Sequence, residues 1–219
     1  MKPRRLKPYC AKLYCAKLYC ATTNAGKLRE FQMALRDSVH PDACFEVVSL
    51  PGLPSIPPPE ETGLTFEENA AQKALSYSKH CDGYLFVDDS GLEVDALGGA
   101  PGVYSARFAG PDATAAANNE LLLDKMRGVT DRHARFVCVV ALAESGQLIG
   151  TFRGQVEGRL LETPRGAEGF GYDPLFYYPP FGCTFAEATI ERKMEVSHRG
   201  AALRKMRTFL NDLAAASSA

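Results

Sequence analysis

Leu85-Phe86-Val87-Asp88-Asp89-Ser90-Gly91-Leu92-Glu93-Val94-Asp95-Ala96-Leu97-Gly98-Gly99-Ala100-Pro101-Gly102-Val103-Tyr104-Ser105-Ala106-Arg107-Phe108-Ala109-Gly110 is the stretch around which this chain is organised. It opens as a short apolar run, Leu85-Phe86-Val87, of the kind that forms a buried strand. The pattern predicts that this strand stops at the adjacent carboxylates Asp88 and Asp89 and that Ser90 and Gly91 turn the chain. Open α/β sheets place their chemistry outside the carboxyl ends of the strands. Successive side chains of an extended chain point to opposite faces, so one aspartate can support the structure while the other faces a cleft. Asp89 is the candidate metal-binding or basic catalytic carboxylate, and Asp88 the supporting one. The Gly98-Gly99-Ala100-Pro101-Gly102 segment reads as a shaped loop.

Working outward toward the N-terminus, Leu64 to about His80 reads as a helix, with Phe66, Ala70, Lys73, Ala74 and Tyr77 at three- and four-residue spacing. Thr65 is suited to cap it, and Glu67 and Glu68 fall in the first turn, where carboxylates favour the helix dipole. Taken alone, Lys73 is a solvated charge. Glu60-Glu61-Thr62-Gly63 precedes this helix, after a loop holding Pro51, Pro54, Pro57, Pro58 and Pro59. Phe45 to Leu50 is a strand candidate. Earlier still, Lys17 to Ala21 reads as the first strand, Thr22-Thr23-Asn24-Ala25-Gly26-Lys27 as a polar turn, and Leu28, Phe31, Gln32 and Leu35 as a helix ending near Asp37-Ser38. A strand, a hydroxyl- and glycine-containing turn and a helix form a natural phosphate cradle, because the first N–H groups of the helix are free and its dipole end is positive. Lys27 adds a point charge. Tyr9 to Ala21 holds three copies of a Tyr-Cys-Ala-Lys-Leu unit, the last of them incomplete and running into the turn. Residues 1–16 are read as an extension outside the fold, and 17–219 as one domain of two lobes.

Toward the C-terminus, Asp112 to Arg127 reads as a helix, while Ala134 to Leu142 and Leu148 to Arg159 form an antiparallel hairpin across Gly146. Glu162 to Phe181 is loop-rich and aromatic, and a last helix covers about His198 to Ala214, with Ser197 as its N-cap. The order predicts an α/β fold: a mixed twisted sheet with flanking helices, in two lobes around a cleft.

The chain has 219 residues, 46% of them hydrophobic and 23% charged, with a formal net charge of -1. This composition describes a soluble globular protein and gives no overall charge for binding nucleic acid. No apolar run approaches the ~20 residues of a membrane span. The seven cysteines make no Cys-x-x-Cys pair and no zinc-like cluster, which predicts reduced thiols. No serine nucleophile elbow is present.

Two more segments carry chemistry. In Gly169-Phe170-Gly171-Tyr172-Asp173-Pro174 an aromatic face can stack on a nucleobase and an acid can accept from a base N–H. Glu191 to Gly200 is polar and basic and sets His198 and Arg199 at a helix start. Glu61 with Asp89 offers a carboxylate pair to Mg²⁺, which takes few protein carboxylates and keeps waters and substrate phosphates.

In conjunction and in order, Thr22 to Lys27, Glu60 to Ala70, Asp88 to Gly110, Gly169 to Pro174 and Lys193 to Gly200 resemble the inosine triphosphate pyrophosphatase family, the pyrophosphatases of non-standard purine nucleotides of the Ham1 or RdgB type. The resemblance runs from about Lys17 onward. It implies hydrolysis of the α–β phosphoanhydride of ITP, dITP or XTP to monophosphate and pyrophosphate, Mg²⁺ as cofactor, a homodimer, and a cytoplasmic role in cleansing the nucleotide pool. By position it implies that Thr22, Thr23, Asn24, Ala25, Gly26 and Lys27 bind the triphosphate, with Lys73 reaching into the same cleft. It further implies that Glu61 and Asp89 hold Mg²⁺, that Asp89 activates water, and that Ser90 touches substrate. Phe170, Gly171, Tyr172 and Asp173 would stack on and read the base, with Lys193, His198 and Arg199 completing the pocket. Thr23 stands where the family usually has glycine. A left-handed angle there would strain a β-branched residue, whereas an extended angle would not. The alternatives are a Maf-like pyrophosphatase of different base specificity and a non-catalytic nucleotide-binding module. The Phe170–Asp173 and Ser197–Arg199 segments fit the inosine-type family better than a Maf-like one, and the intact acids Glu61 and Asp89 and the balanced charge disfavour a non-catalytic module.

Overall fold

A mixed sheet carries the molecule. Its structure, a computed structural model, describes residues 16–36 and 45–218. Among these, seven strands run β1 (Ala16–Cys20), β2 (Phe45–Ser49), β3 (Tyr84–Val94), β4 (His133–Glu144), β5 (Gln147–Leu160), β6 (Phe176–Tyr178) and β7 (Cys183–Thr184). The spatial order is β2-β1-β3-β4-β5-β6-β7. β1 lies parallel to both β2 and β3, and the remaining pairs are antiparallel. The helices are α1 (Ala25–Arg36), α2 (Phe66–Tyr77), α3 (Ala115–Lys125), α4 (Ile190–Val196) and α5 (His198–Ser218). The first N-terminal copy and the start of the second lie outside the described residues, as does the expected end of α1 near Asp37; Ala16, expected in the extension, begins β1.

Alternation along β3 sorts the layers. Phe86 joins a core with Phe31 and Leu35 of α1 and Ala202, Leu203 and Met206 of α5. Leu85 and Val87 face the other way, onto Phe66, Ala70 and Ala74 of α2. The far halves of β3, β4 and β5 carry a separate core, in which Leu92, Val94, Phe136 and Val156 meet Leu122 and Met126 of the α3 region and Phe176 and Phe185. Burial of these side chains is the main stabilising term, at about 1.5–3 kcal/mol for each large apolar group.

Three expectations are corrected. The strand does not stop at the aspartates: β3 continues through Ser90 and Gly91 to Val94, paired with β4 from Tyr84↔Glu144 to Val94↔Ala134. The apolar run ends at Val87, but the hydrogen-bond ladder does not, and ion-pair partners on both faces make buried carboxylates tolerable. The helix expected from Leu64 begins at Phe66, because Thr65 and Glu68 form a capping box there, and it passes into a 3₁₀ turn over Ser78–His80. The polar segment before the last helix is itself a helix, α4, capped by Thr189. Its charged residues hid it, yet Lys193 and Met194 are buried. The expected hairpin is present, and its turn at Ser145 and Gly146 has φ of 50° and 75°, the left-handed pair that matches strand twist.

Candidate active site

β1 ends at Cys20, opposite Phe86. Asp88, Asp89 and Ser90 therefore lie just where β3 has lost its parallel neighbour, and the chain leaving β1 crosses in front of them. That chain is the Thr22–Lys27 turn. Asn24 is fitted to start α1: its side-chain oxygen accepts the Lys27 N–H at 3.0 Å, and its backbone carbonyl accepts the Leu28 N–H. The Thr22 hydroxyl oxygen accepts the Asn24 N–H. Among the described non-glycine residues only Ser145 has a positive φ, so Thr23 takes its place in the turn without left-handed strain.

The two aspartates face opposite sides, as alternation requires. Asp88 is buried, 2.9 Å from Lys27 Nζ and 3.0 Å from Arg199 Nη2. Burial opposes its charge, but Lys27 and Arg199 hold its carboxyl well below the usual carboxylate range. Arg199 also donates to Ser90 Oγ at 2.8 Å. Asp89 points to α2, where Lys73 Nζ sits 2.7 Å from its Oδ1 and 2.7 Å from Glu61 Oε1. Burial pushes the Asp89 carboxyl above its ordinary value, with Lys73 pulling the other way. Adjacent acids are thus driven apart: Asp88 is a fixed counter-ion, and Asp89 is the one with affinity for a proton. Glu61 is also reached by Arg107 at 3.1 Å. Burial raises the Glu61 carboxyl, but Lys73 and Arg107 bring it below its ordinary value.

The third wall is the 169–173 loop. Gly169 has φ of +74°, and a side chain there would run into the Asp173 carboxylate. That carboxylate accepts the Phe170 N–H at 2.9 Å and lies 2.6 Å from Lys193 Nζ. Burial pushes Asp173 up, against the pull of Lys193. The loop presents the Phe170 ring, which lies against Gly26 and has the Lys193 ammonium 4.9 Å and the Arg199 guanidinium 5.5 Å from its centroid. The turn, the loop and both cations therefore meet at one place. Gly171 lies beside Phe170 in this loop and accepts from Asn119 Nδ2 on α3 at 3.0 Å. Tyr172 is turned away: its ring is in the far core, and its hydroxyl donates to the Ser105 carbonyl at 2.9 Å. His198 is buried, stacks on Phe136 with ring centroids 4.7 Å apart, and leaves Nδ1 without a protein partner. Burial and the neighbouring Arg199 and Lys193 press its pKa well below the ordinary value, so the ring is neutral.

Reasoning from sequence missed Glu30, Asn69 and Asn119. Glu30 is buried on α1 and bridges Lys193 at 2.8 Å and Arg199. Burial raises its carboxyl, but Arg199 and Lys193 bring it below its ordinary value. Its position three residues after Lys27, one turn along the same helix, was the available signal. Asn69 precedes Lys73 by four residues, which puts both on one face of α2. Nothing in the sequence marked Asn119.

Glu61 and Asp89 converge on a single positive charge, the Lys73 ammonium. Two carboxylates meeting at one cation position suit Mg²⁺, which asks for few protein oxygens.

A family model described as the Ham1 family matches residues 18–209. A dITP/XTP pyrophosphatase of Exiguobacterium sp. is 52% identical over 186 residues, covering 84% of the chain and 92% of the relative. One of Acidobacterium capsulatum is 50% identical over 192 residues, with the same shares covered. The solved structure of the Staphylococcus aureus Ham1 protein is 39% identical and superposes with a TM-score of 0.77 over 90% of the chain and 98% of its own.

Proposed function

The chain belongs to the Ham1 family, and from that premise we propose that it hydrolyses the non-standard purine nucleotides dITP, XTP and ITP to monophosphate and pyrophosphate. The observation that carries this reading is the divided aspartate pair of β3: Asp88 is neutralised by Lys27 and Arg199, while Asp89 faces Lys73 and Glu61 across the sheet.

In this mechanism the Thr22–Lys27 turn, the α1 N-terminus and Lys27 hold the phosphates, with Lys73 beside them. Asp89 takes the proton of the attacking water. Glu61 and Asp89 would hold Mg²⁺, which would supply neutralisation of phosphate charge and Lewis-acid activation of water. Cleavage of a phosphoanhydride is mostly positioning and charge neutralisation, and these residues bring both. Phe170 stacks on the base. Lys193, Arg199 and His198 direct donors at its 6-oxo group, which adenine lacks; an amino group in that place leaves those donors unpaired. Tyr172 acts through its backbone and its packing.

A homodimer, a cytoplasmic location and a dispensable segment from Met1 to about Leu13 belong to the same reading. No helix among the described residues is long and apolar enough to cross a membrane. The test is a nucleotide panel with Mg²⁺, scored for pyrophosphate. Release from dITP and XTP supports the reading, and preference for dTTP or UTP contradicts it. Loss of turnover on deleting residues 1–13, with the fold intact, contradicts the extension.

A further inference from the structure

Asn69 is out of place by composition. It is fully buried on the α2 face that packs Phe66, Ala70 and Ala74 against the sheet, where an amide is costly unless both of its ends are bonded. Both are used. Its side-chain oxygen accepts the Gly63 N–H at 2.8 Å, two residues beyond Glu61. Its side-chain nitrogen faces Asp89 Oδ2 at 3.5 Å, the outer edge of hydrogen-bonding reach. The partners fix which end is which, since the Gly63 amide can only donate and an ionised carboxylate only accept. Gly63 belongs to the same device: a Cβ there would lie 2.7 Å from Asn69 Oδ1 and 3.0 Å from its backbone nitrogen, so the glycine lets the loop close onto the amide. Lys73, one turn later, reaches the other oxygen of Asp89 and the Glu61 carboxylate. Asp89 is therefore gripped at Oδ1 by a charge and at Oδ2 by a neutral donor, and that donor is tied to the loop bearing Glu61.

We infer that Asn69 is a positioning residue that fixes where Asp89 stands relative to the Glu61 loop. It touches neither substrate nor metal itself. The inference rests on the reading of Asp89 and Glu61 given above. A helix-packing role alone would require only a side chain of this volume, whereas a positioning role requires the donor.

Two variants separate these roles. Asn69→Leu keeps the branched outline, with bulkier ends, and removes both bonds. Asn69→Asp keeps an acceptor for the Gly63 N–H and replaces the donor facing Asp89. Each is assayed for kcat and KM on dITP, for thermal midpoint, and, for Asn69→Leu, for Mn²⁺ affinity by electron paramagnetic resonance with the α,β-methylene analogue of dITP. Groups that orient metal ligands typically contribute about 10–100-fold. The expected result is a kcat at least about tenfold lower in both variants with KM within about twofold, and an Mn²⁺ dissociation constant about tenfold higher in Asn69→Leu. A lowered thermal midpoint with kcat and Mn²⁺ affinity unchanged overturns the inference. Asp89→Asn is run beside them. If it abolishes turnover while both Asn69 variants turn over normally, the Asn69 inference alone fails. If Asp89→Asn turns over normally, the reading of the carboxylate pair fails and the inference with it.

Discussion

Replacing Glu30 by Gln tests how the base pocket is held. Glu30, Asp88 and Asp173 face Lys27, Lys193 and Arg199 in one ion-pair network, acids and bases equal in number. Glu30 and Arg199 are almost wholly buried, so water screens little of their interaction. Gln keeps the shape and leaves one buried positive charge without a counter-ion. Breaking a buried pair from one side costs about 3–5 kcal/mol. For a protein of this size 1 kcal/mol moves the midpoint by about 2–4 °C, so Glu30→Gln should melt about 6–20 °C lower. Because the network is buried, the difference should persist between about 0.05 and 0.5 M salt, where surface pairs are screened out. The assay is thermal unfolding followed by circular dichroism, with urea midpoints as a second probe. A shift under about 2 °C, or one that salt removes, would refute the claim that Glu30 compensates Lys193 and Arg199.

Other outcomes follow from the same geometry. His198 is neutral in the fold, so below about pH 6.5 the unfolded chain gains a proton that the folded chain does not, and stability falls by up to about 1.4 kcal/mol per pH unit; urea midpoints from pH 7.5 to 5.5 should show this slope, and His198→Gln should flatten it. Tyr172→Phe strands the Ser105 carbonyl and should cost about 1–3 kcal/mol with kcat unchanged; a tenfold loss of kcat at full stability would mean that the hydroxyl reads substrate. Gly169→Ala forces a side chain onto the Asp173 carboxylate at a positive φ and should raise KM for dITP about tenfold through a displaced Phe170, measured by initial rates against ATP as control.

Most of the fold was legible because its signals are local. The helical spacing of Phe66, Ala70 and Ala74, the Thr65 cap and the Ala134–Leu142 run each predict one element without reference to any other. The limits of β3 were not legible, because its continuation past Asp88 depends on a ladder with β4, a partner some fifty residues away, as in Asp88↔Val140. α4 was hidden for a related reason: a buried Lys193 looks solvated until Glu30 and Asp173 are seen beside it. In the site, Lys73 was named from resemblance and Glu61 already as a carboxylate to pair with Asp89, while the meeting of Lys73 with both acids is tertiary. Tyr172 shows the reverse case. Its place in the 169–174 motif suggested a base reader, but the structure uses its hydroxyl to tie that loop to Ser105. Asn69 and Glu30 escaped notice because a single polar residue on a helix reads as surface until burial is known.

Asp89, not Asp88, is the carboxylate proposed to react in this pyrophosphatase. The most direct test of this assignment is the rate of pyrophosphate release from dITP with Mg²⁺ by the unaltered chain and by Asp89→Asn. Equimolar monophosphate and pyrophosphate are expected from the unaltered chain, and a rate lower by roughly two to four decades from the variant, the scale of a lost catalytic base, with dITP still bound. A variant that turns over at the unaltered rate, or release of orthophosphate in place of pyrophosphate, would contradict it.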